Sequence, residues 1–506
     1  MINHDKINNR LPYSIWTVRD TQQIENQYLE NNNQGLTKFN LMERAGKAAF
    51  HYIYHSYPHA RKWLVLCGPG NNGGDGYIVA CLAQAAGIEI TLLSCANSSP
   101  KEAQKAQDQW LRSGGKIYQH DIDWPKTLDL IIDGLLGNQL NRIPTYPYNM
   151  LIKKANESGL PIFSLDIPSG LSAETGATPG DVIKAAHTIT FITLKPGLFT
   201  GKARKYVGKL HYQSLGTHEF LKKKDASIKR MDANCLPILL PPRCPISHKR
   251  KHGRLLIIGG DIGTAGAVRL AGEAALRTGS GLVKILTKKF NIIPILSNRP
   301  ELMVDELRID TLDYSLNWAD IIVVGPGLGQ RNWGQKALSM IQKSTKPMLW
   351  DADALIMLSK KPDQRHNRII TPHPGEAAKL LNISIAEIES NRLDAAKSLA
   401  NKYGGIVVLK GAGTIIASYQ GDLVIADVGN AGMASGGMGD VLSGIIGSLL
   451  GQKLSDYQAA CAGCIIHGAA ADLLASKLGM RGILASDIFS QIHLLMNPDF
   501  NKSKKV

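Results

Sequence analysis

The chain has 506 residues, which predicts two or more domains, because single cores stop growing at about 250–300 residues. Apolar residues make up 44% and charged residues 20%, a soluble globular composition that excludes a disordered chain, and no apolar run reads as long enough to span a bilayer. The net charge of +16 turns attention to anionic ligands.

The predicted elements begin with a helical lead over about residues 17–57, judged from apolar spacing. Trp63–Cys67 then reads as a buried strand, followed by Gly68-Pro69-Gly70-Asn71-Asn72-Gly73-Gly74-Asp75-Gly76 and a helix over Tyr77–Ala86. Strand Ile88–Leu93, helix Lys101–Arg112, strand Leu128–Asp133, helix Tyr148–Ser158 and strand Ile162–Asp166 continue the alternation. Short apolar strands alternating with helices give a parallel sheet with right-handed crossovers, a Rossmann-like three-layer domain. Glycines 73, 74 and 76 let a pyrophosphate approach the backbone at a helix start. The alternative is a tight turn with Asp75 as helix cap. Asp133 and Asp166 close two further strands, and strand ends of open parallel sheets converge on the ligand crevice. The oxygens of Asn72, Asp133 and Ser169 can together coordinate a hard cation.

Around 214–235 the rhythm lapses, and Leu236–Pro245 carries four prolines, so the domain boundary is placed at 225/226. Residues 222–254 hold ten Lys/Arg against two Asp. This segment reads as a solvated linker or a rim drawing polyanionic small molecules, since no aromatic interleaving accompanies it to suggest nucleic acid.

The second half resumes with strands Leu255–Ile258, Leu282–Leu286, Ile321–Val324, Met348–Asp351 and Ile406–Leu409, and a helix over Ala267–Arg277. Motifs follow these strands: Gly259–Ala267, Gly325-Pro326-Gly327-Leu328-Gly329, Asp351-Ala352-Asp353-Ala354, Thr371-Pro372-His373-Pro374-Gly375-Glu376 and Lys410-Gly411-Ala412-Gly413-Thr414. Any one could be a turn; five at strand ends predict a crevice. In Gly429–Asp440, the amides of Gly437–Asp440 can hold a transferring phosphoryl group at a helix start. Asp440 can take a proton from an attacking hydroxyl, and the helix N-terminus is expected to favour its ionised form.

Seven cysteines, an odd number spread along the chain, suit free thiols, and the polar N-terminus lacks a secretory pattern, so the expected compartment is cytoplasmic. Cys461-x-x-Cys464-x-x-His467 has a ligand-like spacing but no second pair, so it reads as one face of a packed helix.

Gly68–Gly76, Asp133–Gly137 and Asp166–Gly170, continued by Thr175-Gly176 and Lys195-Pro196-Gly197, closely resemble NAD(P)H-hydrate epimerases. The resemblance implies potassium at Asn72, Asp133 and Ser169. It implies substrate contacts from Asn71, Asn72, Gly73, Gly74 and Asp75, from Gly137, Asn138, Gln139, Leu140, Asn141, Arg142 and Ile143, and from Asp166. Asn138-Gln139 stand where that family usually has Thr-Gly. The Gly-rich turn ending in Asp440 resembles the ribokinase superfamily, and with Gly468 and Asp472 its dehydratase branch. That implies a ribokinase-like α/β second domain whose Ala267, Gly327, His373 and Asp440 contact the hydrate, while Lys410, Gly411, Ala412, Gly413, Thr414 and Gly439 contact an adenine nucleotide. Domains 1–225 and 226–506 would then be an epimerase and an ADP-dependent dehydratase acting on NADHX and NADPHX, with Asp166 and Asp440 as catalytic groups. Magnesium would accompany ADP; Glu376 is read as the residue orienting it, with helix capping as the alternative. The expected partners are these small molecules and a second copy in a homo-oligomer, with no specific nucleic acid and no membrane. A small-molecule kinase is the competing reading, because the Gly-Asp ending is shared across the superfamily.

Overall fold

The computed structural model describes residues 11–31, 35–138, 142–297 and 299–498. They form two compact units, Met1–Lys229 and Arg230–Val506.

In the first unit, helices Val18–Glu30 and Lys38–Ser56 precede seven strands: β1 (Lys62–Cys67), β2 (Glu89–Ser94), β3 (Ile117–Gln119), β4 (Leu130–Gly134), β5 (Ile162–Leu165), β6 (His187–Phe191) and β7 (Lys209–Gln213). They pair in parallel in the order β3-β2-β1-β4-β5-β6-β7. Alternate side chains of β1 serve opposite faces, Trp63, Val65 and Cys67 joining one core cluster and Leu64 and Leu66 another. Both faces are covered, as an all-parallel sheet requires. The strand order reverses between β1 and β4, so a crevice opens at their carboxyl ends.

One sequence expectation is corrected here. The helix after β1 starts at Asn71, so Asn71–Gly76 forms its first turns and is not a loop ahead of it. Glycine's weak helix propensity argues against helix locally, but a Cβ at Gly73 would stand 1.9 Å from the Gly68 carbonyl, and one at Gly74 2.6 Å from Met42 Cε. Close packing of this turn overrides propensity.

The second unit contains β8 (Arg254–Ile258), β9 (Leu282–Thr287), β10 (Met303–Glu306), β11 (Ile321–Val324), β12 (Met348–Trp350), β13 (Arg368–Ile370), β14 (Ile406–Leu409), β15 (Thr414–Ser418) and β16 (Leu423–Ala426). These run β16-β15-β14-β13-β12-β11-β8-β9-β10, parallel from β10 to β14 and antiparallel from β14 through β16. The order reverses between β8 and β11, again opening a crevice. Helices Ala265–Thr278, Met438–Gly451 and Asp456–Leu478 supply one core layer. Their glycines permit close approach: a Cβ at Gly444 would lie 2.1 Å from the Ala271 carbonyl, and one at Gly463 2.5 Å from Ile446.

Asp456–Leu478 also corrects the reading that no run could span a bilayer: it is long and apolar enough, with 78% of its apolar window buried inside the protein. Its apolarity serves the core. Cys461, Cys464 and His467 lie buried on it. The basic segment is likewise not uniformly solvated. Lys249, Arg250 and Lys251 are exposed, but Arg230 is buried and paired with Asp232 at 2.9 Å and Asp427 at 2.8 Å.

Candidate active sites

In the first unit, the end of β1 is fixed to the end of β4 by the Gly68 amide, which donates to the Gly134 carbonyl at 2.9 Å. A Cβ at Gly68 would stand 1.8 Å from the Leu135 carbonyl oxygen, so only glycine fits. Helix Asn71–Ala85 begins at Gly70 with no side-chain cap, leaving first-turn amides available to an anion. Asn72 Nδ2 donates to the Leu136 carbonyl at 2.9 Å, while its buried Oδ1 has no hydrogen-bond partner. Asp133 is fully buried and accepts from Ser169 Oγ (2.5 Å), the Ser169 amide (2.9 Å), Ser164 Oγ (2.8 Å) and the Leu135 amide (3.3 Å). Burial pushes its pKa up against the pull of those donors. Ser169 Oγ also accepts from the Leu136 amide at 2.8 Å. The backbone of Leu136 thus bonds Asn72 and Ser169, Ser169 in turn bonds Asp133, and the orphaned Asn72 oxygen fits a hard cation.

Asp166, just past β5, has φ 60°, a left-handed conformation costly for a non-glycine residue and informative at a site. Its Oδ1 accepts from Thr190 Oγ1 (3.0 Å), the Phe191 amide (3.2 Å) and Lys195 Nζ. Asn138 Nδ2 reaches Oδ2 at 3.4 Å. Lys195 is buried, and its ammonium also donates to Thr190 Oγ1 and the Phe191 carbonyl, each at 2.9 Å. Burial drives the pKa of Asp75 well up, and the negative charges of Asp166 and Glu25 add to this. Glu25 is raised as well, by burial and then, against Lys38, by Asp166. Three carboxyl groups and one buried ammonium are therefore close enough to act on one another. Sequence reasoning gave no role to Lys195 or Glu25. A lone lysine in the otherwise uncharged stretch 188–198 was a usable signal for the first; nothing marked Glu25. Arg142 and Ile143 are exposed, and none of the described hydrogen bonds ties them to Asp166. Gln139, Leu140 and Asn141 lie outside the described residues.

In the second unit, five motifs occupy the carboxyl ends of neighbouring parallel strands, β8, β11, β12, β13 and β14. The first two touch: the Gly260 amide donates to the Pro326 carbonyl at 3.0 Å, and Thr264 Oγ1 to the Gly327 carbonyl at 2.8 Å, just ahead of Ala267. At the end of β13, His373 caps helix Pro374–Leu381, its Nδ1 accepting from the Gly375 amide at 3.0 Å. Glu376 Oε2 accepts the His373 amide at 2.8 Å, so the capping role of Glu376 is real. It is nonetheless buried, its pKa raised by burial, and 3.9 Å from Lys410 Nζ.

Lys410 follows β14 and donates to Asp351 Oδ1 at 2.8 Å. Burial opposes its charge, but Asp351 and Glu376 outweigh that and raise its pKa. The loop Lys410–Thr414 is held by buried Arg392, whose Nη2 donates to the Leu409 and Lys410 carbonyls at 3.2 and 3.1 Å. This residue carried no sequence signal. Helix Met438–Gly451 starts after Gly437 (φ 87°) without a side-chain cap. A Cβ on Gly439 would lie 3.4 Å from Lys410 Nζ and 3.6 Å from Asp351 Oδ2, which places the lysine beneath this turn. Asp472 secures the preceding loop, accepting from the Gly429 amide (2.7 Å) and Asn430 Nδ2 (2.8 Å).

Asp440, in that first turn, differs from expectation. Burial first, then the nearby charge of Asp351, push its pKa up to about 7, with Lys410 opposing. Burial and the Asp351 charge outweigh the helix N-terminus expected to favour its ionised form. None of the described hydrogen bonds engages its carboxylate, so the group is poised for proton exchange near neutral pH.

The sequence pattern of a family described as NAD(P)H-hydrate dehydratase matches residues 255–494, and one described as YjeF-related protein N-terminus matches residues 38–197. The chain is 58% identical over 491 residues to the bifunctional NAD(P)H-hydrate repair enzyme of Escherichia coli (strain K12), covering 97% of this chain and 95% of that protein. It is 42% identical to the counterpart in Vibrio cholerae, covering 96% and 99%. A solved ribokinase-like superfamily protein from Enterococcus faecalis superposes with TM-score 0.50 at 28% identity, covering 54% of this chain and 97% of its own.

Proposed function

The chain belongs to the bifunctional NAD(P)H-hydrate repair enzymes, and from that premise we propose that its first unit interconverts R and S NAD(P)H hydrates while its second dehydrates the S form with ADP. The observation that carries the dehydratase reading is the Asp351–Lys410–Asp440 group beneath an uncapped, glycine-lined helix start. Asp440 takes the proton of the hydrate's hydroxyl as that oxygen attacks the β-phosphoryl group of ADP, and AMP leaves. Amides of Gly437–Asp440 and the Lys410 ammonium receive the developing charge. A hydroxyl has thereby become a phosphate ester. The ring nitrogen's lone pair expels phosphate, and loss of a neighbouring ring proton restores the reduced nicotinamide double bond.

Ala267, Gly327, His373 and Asp440 border the hydrate in this reading, and Lys410–Thr414 with Gly439 border the nucleotide. Glu376, buried beside Lys410, would orient magnesium, which supplies charge neutralisation on the phosphates when bound. In the first unit, Asn71–Asp75, Gly137–Ile143 and Asp166 contact substrate, and Asp166 moves the proton that changing a C–O stereocentre demands. Asn72, Asp133 and Ser169 would hold potassium, a reading supported by the unpartnered Asn72 oxygen. The functional boundary is placed near 225/226, the expected compartment is the cytoplasm, and the expected assembly is a homo-oligomer.

The test is a mixture of hydrated NADH epimers incubated with the protein, with and without ADP. Absorbance of reduced nicotinamide should return only with ADP, with AMP and inorganic phosphate as co-products and both epimers consumed. A stable phosphoester without that absorbance would identify a small-molecule kinase instead.

A further inference from the structure

Asp351 has a dense set of contacts for a residue without an assigned role. It is 2% exposed and stands between two elements of the second crevice. Its Oδ1 accepts from Lys410 Nζ at 2.8 Å, and its Oδ2 from Ser443 Oγ at 2.8 Å. Ser443 lies three residues beyond Asp440 on helix Met438–Gly451, so both project from one face of that helix. The backbone around Asp351 is also fixed. Its amide donates to the Val324 carbonyl at 3.1 Å, a Cβ at Gly325 would stand 1.8 Å from its carbonyl oxygen, and Ala352 after it has φ 49°. Nearby Asp353 performs ordinary loop capping, accepting from the Gly329 amide at 2.8 Å. A buried carboxylate–ammonium pair is a poor source of stability, because desolvation offsets the attraction, so stability alone is a weak reason for it.

We infer that Asp351 is a positioning residue of the dehydratase site: it anchors Lys410 with one oxygen and the Asp440 helix with the other. Its negative charge also favours the protonated form of Asp440. This rests on the reading of Asp440 as the base. The groups around Asp440 come from four elements. Asp351 and Lys410 stand at strand ends, with Glu376 beyond the lysine. His467 and Cys464, buried on helix Asp456–Leu478, lie within the influence of the Lys410 charge. Burial, then Lys410, pushes the imidazole pKa down to about 4, and burial pushes the thiol up to about 12, so both are neutral in the working range. Asp351 and Lys410 are therefore the charges acting directly on Asp440, with opposite signs. Neutralising Asp351 removes the charge that helps hold the proton on and leaves the Lys410 charge that drives it off.

The experiment is the pH dependence of kcat/KM for the S hydrate at saturating ADP, measured on the full chain. The acidic limb of the unaltered protein should have its midpoint near 7. In Asp351→Asn, which can keep the Ser443 bond, the midpoint should fall by about one unit, and KM for ADP should rise several-fold as Lys410 loses its anchor. Ser443→Ala retains both charges, so its midpoint should stay in place even if kcat drops. An unmoved or raised midpoint in Asp351→Asn overturns the inference, as does an equal shift in Ser443→Ala. If Asp351→Asn does not accumulate as folded protein, Asp351→Ser is measured in its place with the same expected fall. Asp440→Asn separates the two levels of argument. Full activity in Asp440→Asn sinks the base assignment, whereas an inactive Asp440→Asn with an unmoved Asp351→Asn midpoint sinks only the role of Asp351.

Discussion

The two crevices hold their principal carboxylates in opposite ways. Asp166 is fixed by Thr190, the Phe191 amide and Lys195, on a backbone forced to φ 60°. Asp440 sits in an ordinary helical turn with no described partner, and burial beside Asp351 brings its proton affinity to neutrality. The first is specified by position and the second by titration. Stereochemical inversion at a carbon demands a group with one fixed orientation, whereas phosphoryl transfer from a hydroxyl demands a base that exchanges protons at working pH.

Asp440→Asn breaks the comparison most directly. Loss of a positioned base lowers rate by about 10²–10⁴-fold, so dehydration should nearly vanish while ADP still binds and epimerisation continues. Wild-type dehydration by this variant, read from returning NADH absorbance, would refute titration as the principle of the second site. Asp166→Asn should lower R-to-S conversion by about 10²-fold while the S form is still dehydrated. Unimpaired consumption of both epimers would show that the fixed carboxylate is not the epimerising group. A smaller, purely steric effect separates the units. Gly444→Ala forces a methyl to within 2.1 Å of the Ala271 carbonyl and should cost about 1–3 kcal/mol in the second unit. Thermal scans should show that unit melting earlier with epimerase activity intact; parallel loss of both activities would contradict independent units.

The sequence made the parallel core legible because β1, β4, β8, β11 and β14 are short, apolar and bounded by glycine or aspartate. Strands β6 and β7 escaped because His187, Thr188, Thr190 and His211 interrupt the apolar pattern, and β13 because Arg368 leaves it only two apolar residues. Glycine motifs located both crevices, since backbone approach leaves a compositional trace. Pairings across the sheet leave none. Asp351 meets Lys410 and Ser443 only once β12, β14 and a distant helix are brought together, so the near-neutral Asp440 was not readable from its own neighbours in sequence. Lys195 was visible in its motif, but its bond to Asp166 depends on β6 lying beside β5.

The smallest expected effect tests titration without any substrate. The folded protein raises the Asp440 pKa from 3.8 to about 7, so between these values the native state binds a proton that the unfolded chain has released. The stability associated with that proton is fully present below about 3.8 and is lost as pH rises through about 7. At pH 8 the protein therefore carries the cost of an ionised, largely desolvated carboxylate, which Asp440→Asn does not. After allowance for solvent screening of a partly exposed group, the difference should be on the order of 1 kcal/mol, or about 2–4 °C in Tm for a domain of this size. Calorimetry of the full chain should find the second unit of Asp440→Asn melting above that of the unaltered protein at pH 8. The gap should narrow as pH falls towards 4, with the first unit's transition as internal reference. A catalytic carboxylate whose removal stabilises its own domain is the signature of a group held at neutrality by burial. An Asp440→Asn unit that melts lower at pH 8 would instead make Asp440 a structural anchor like Asp166, and the contrast between the two crevices would dissolve.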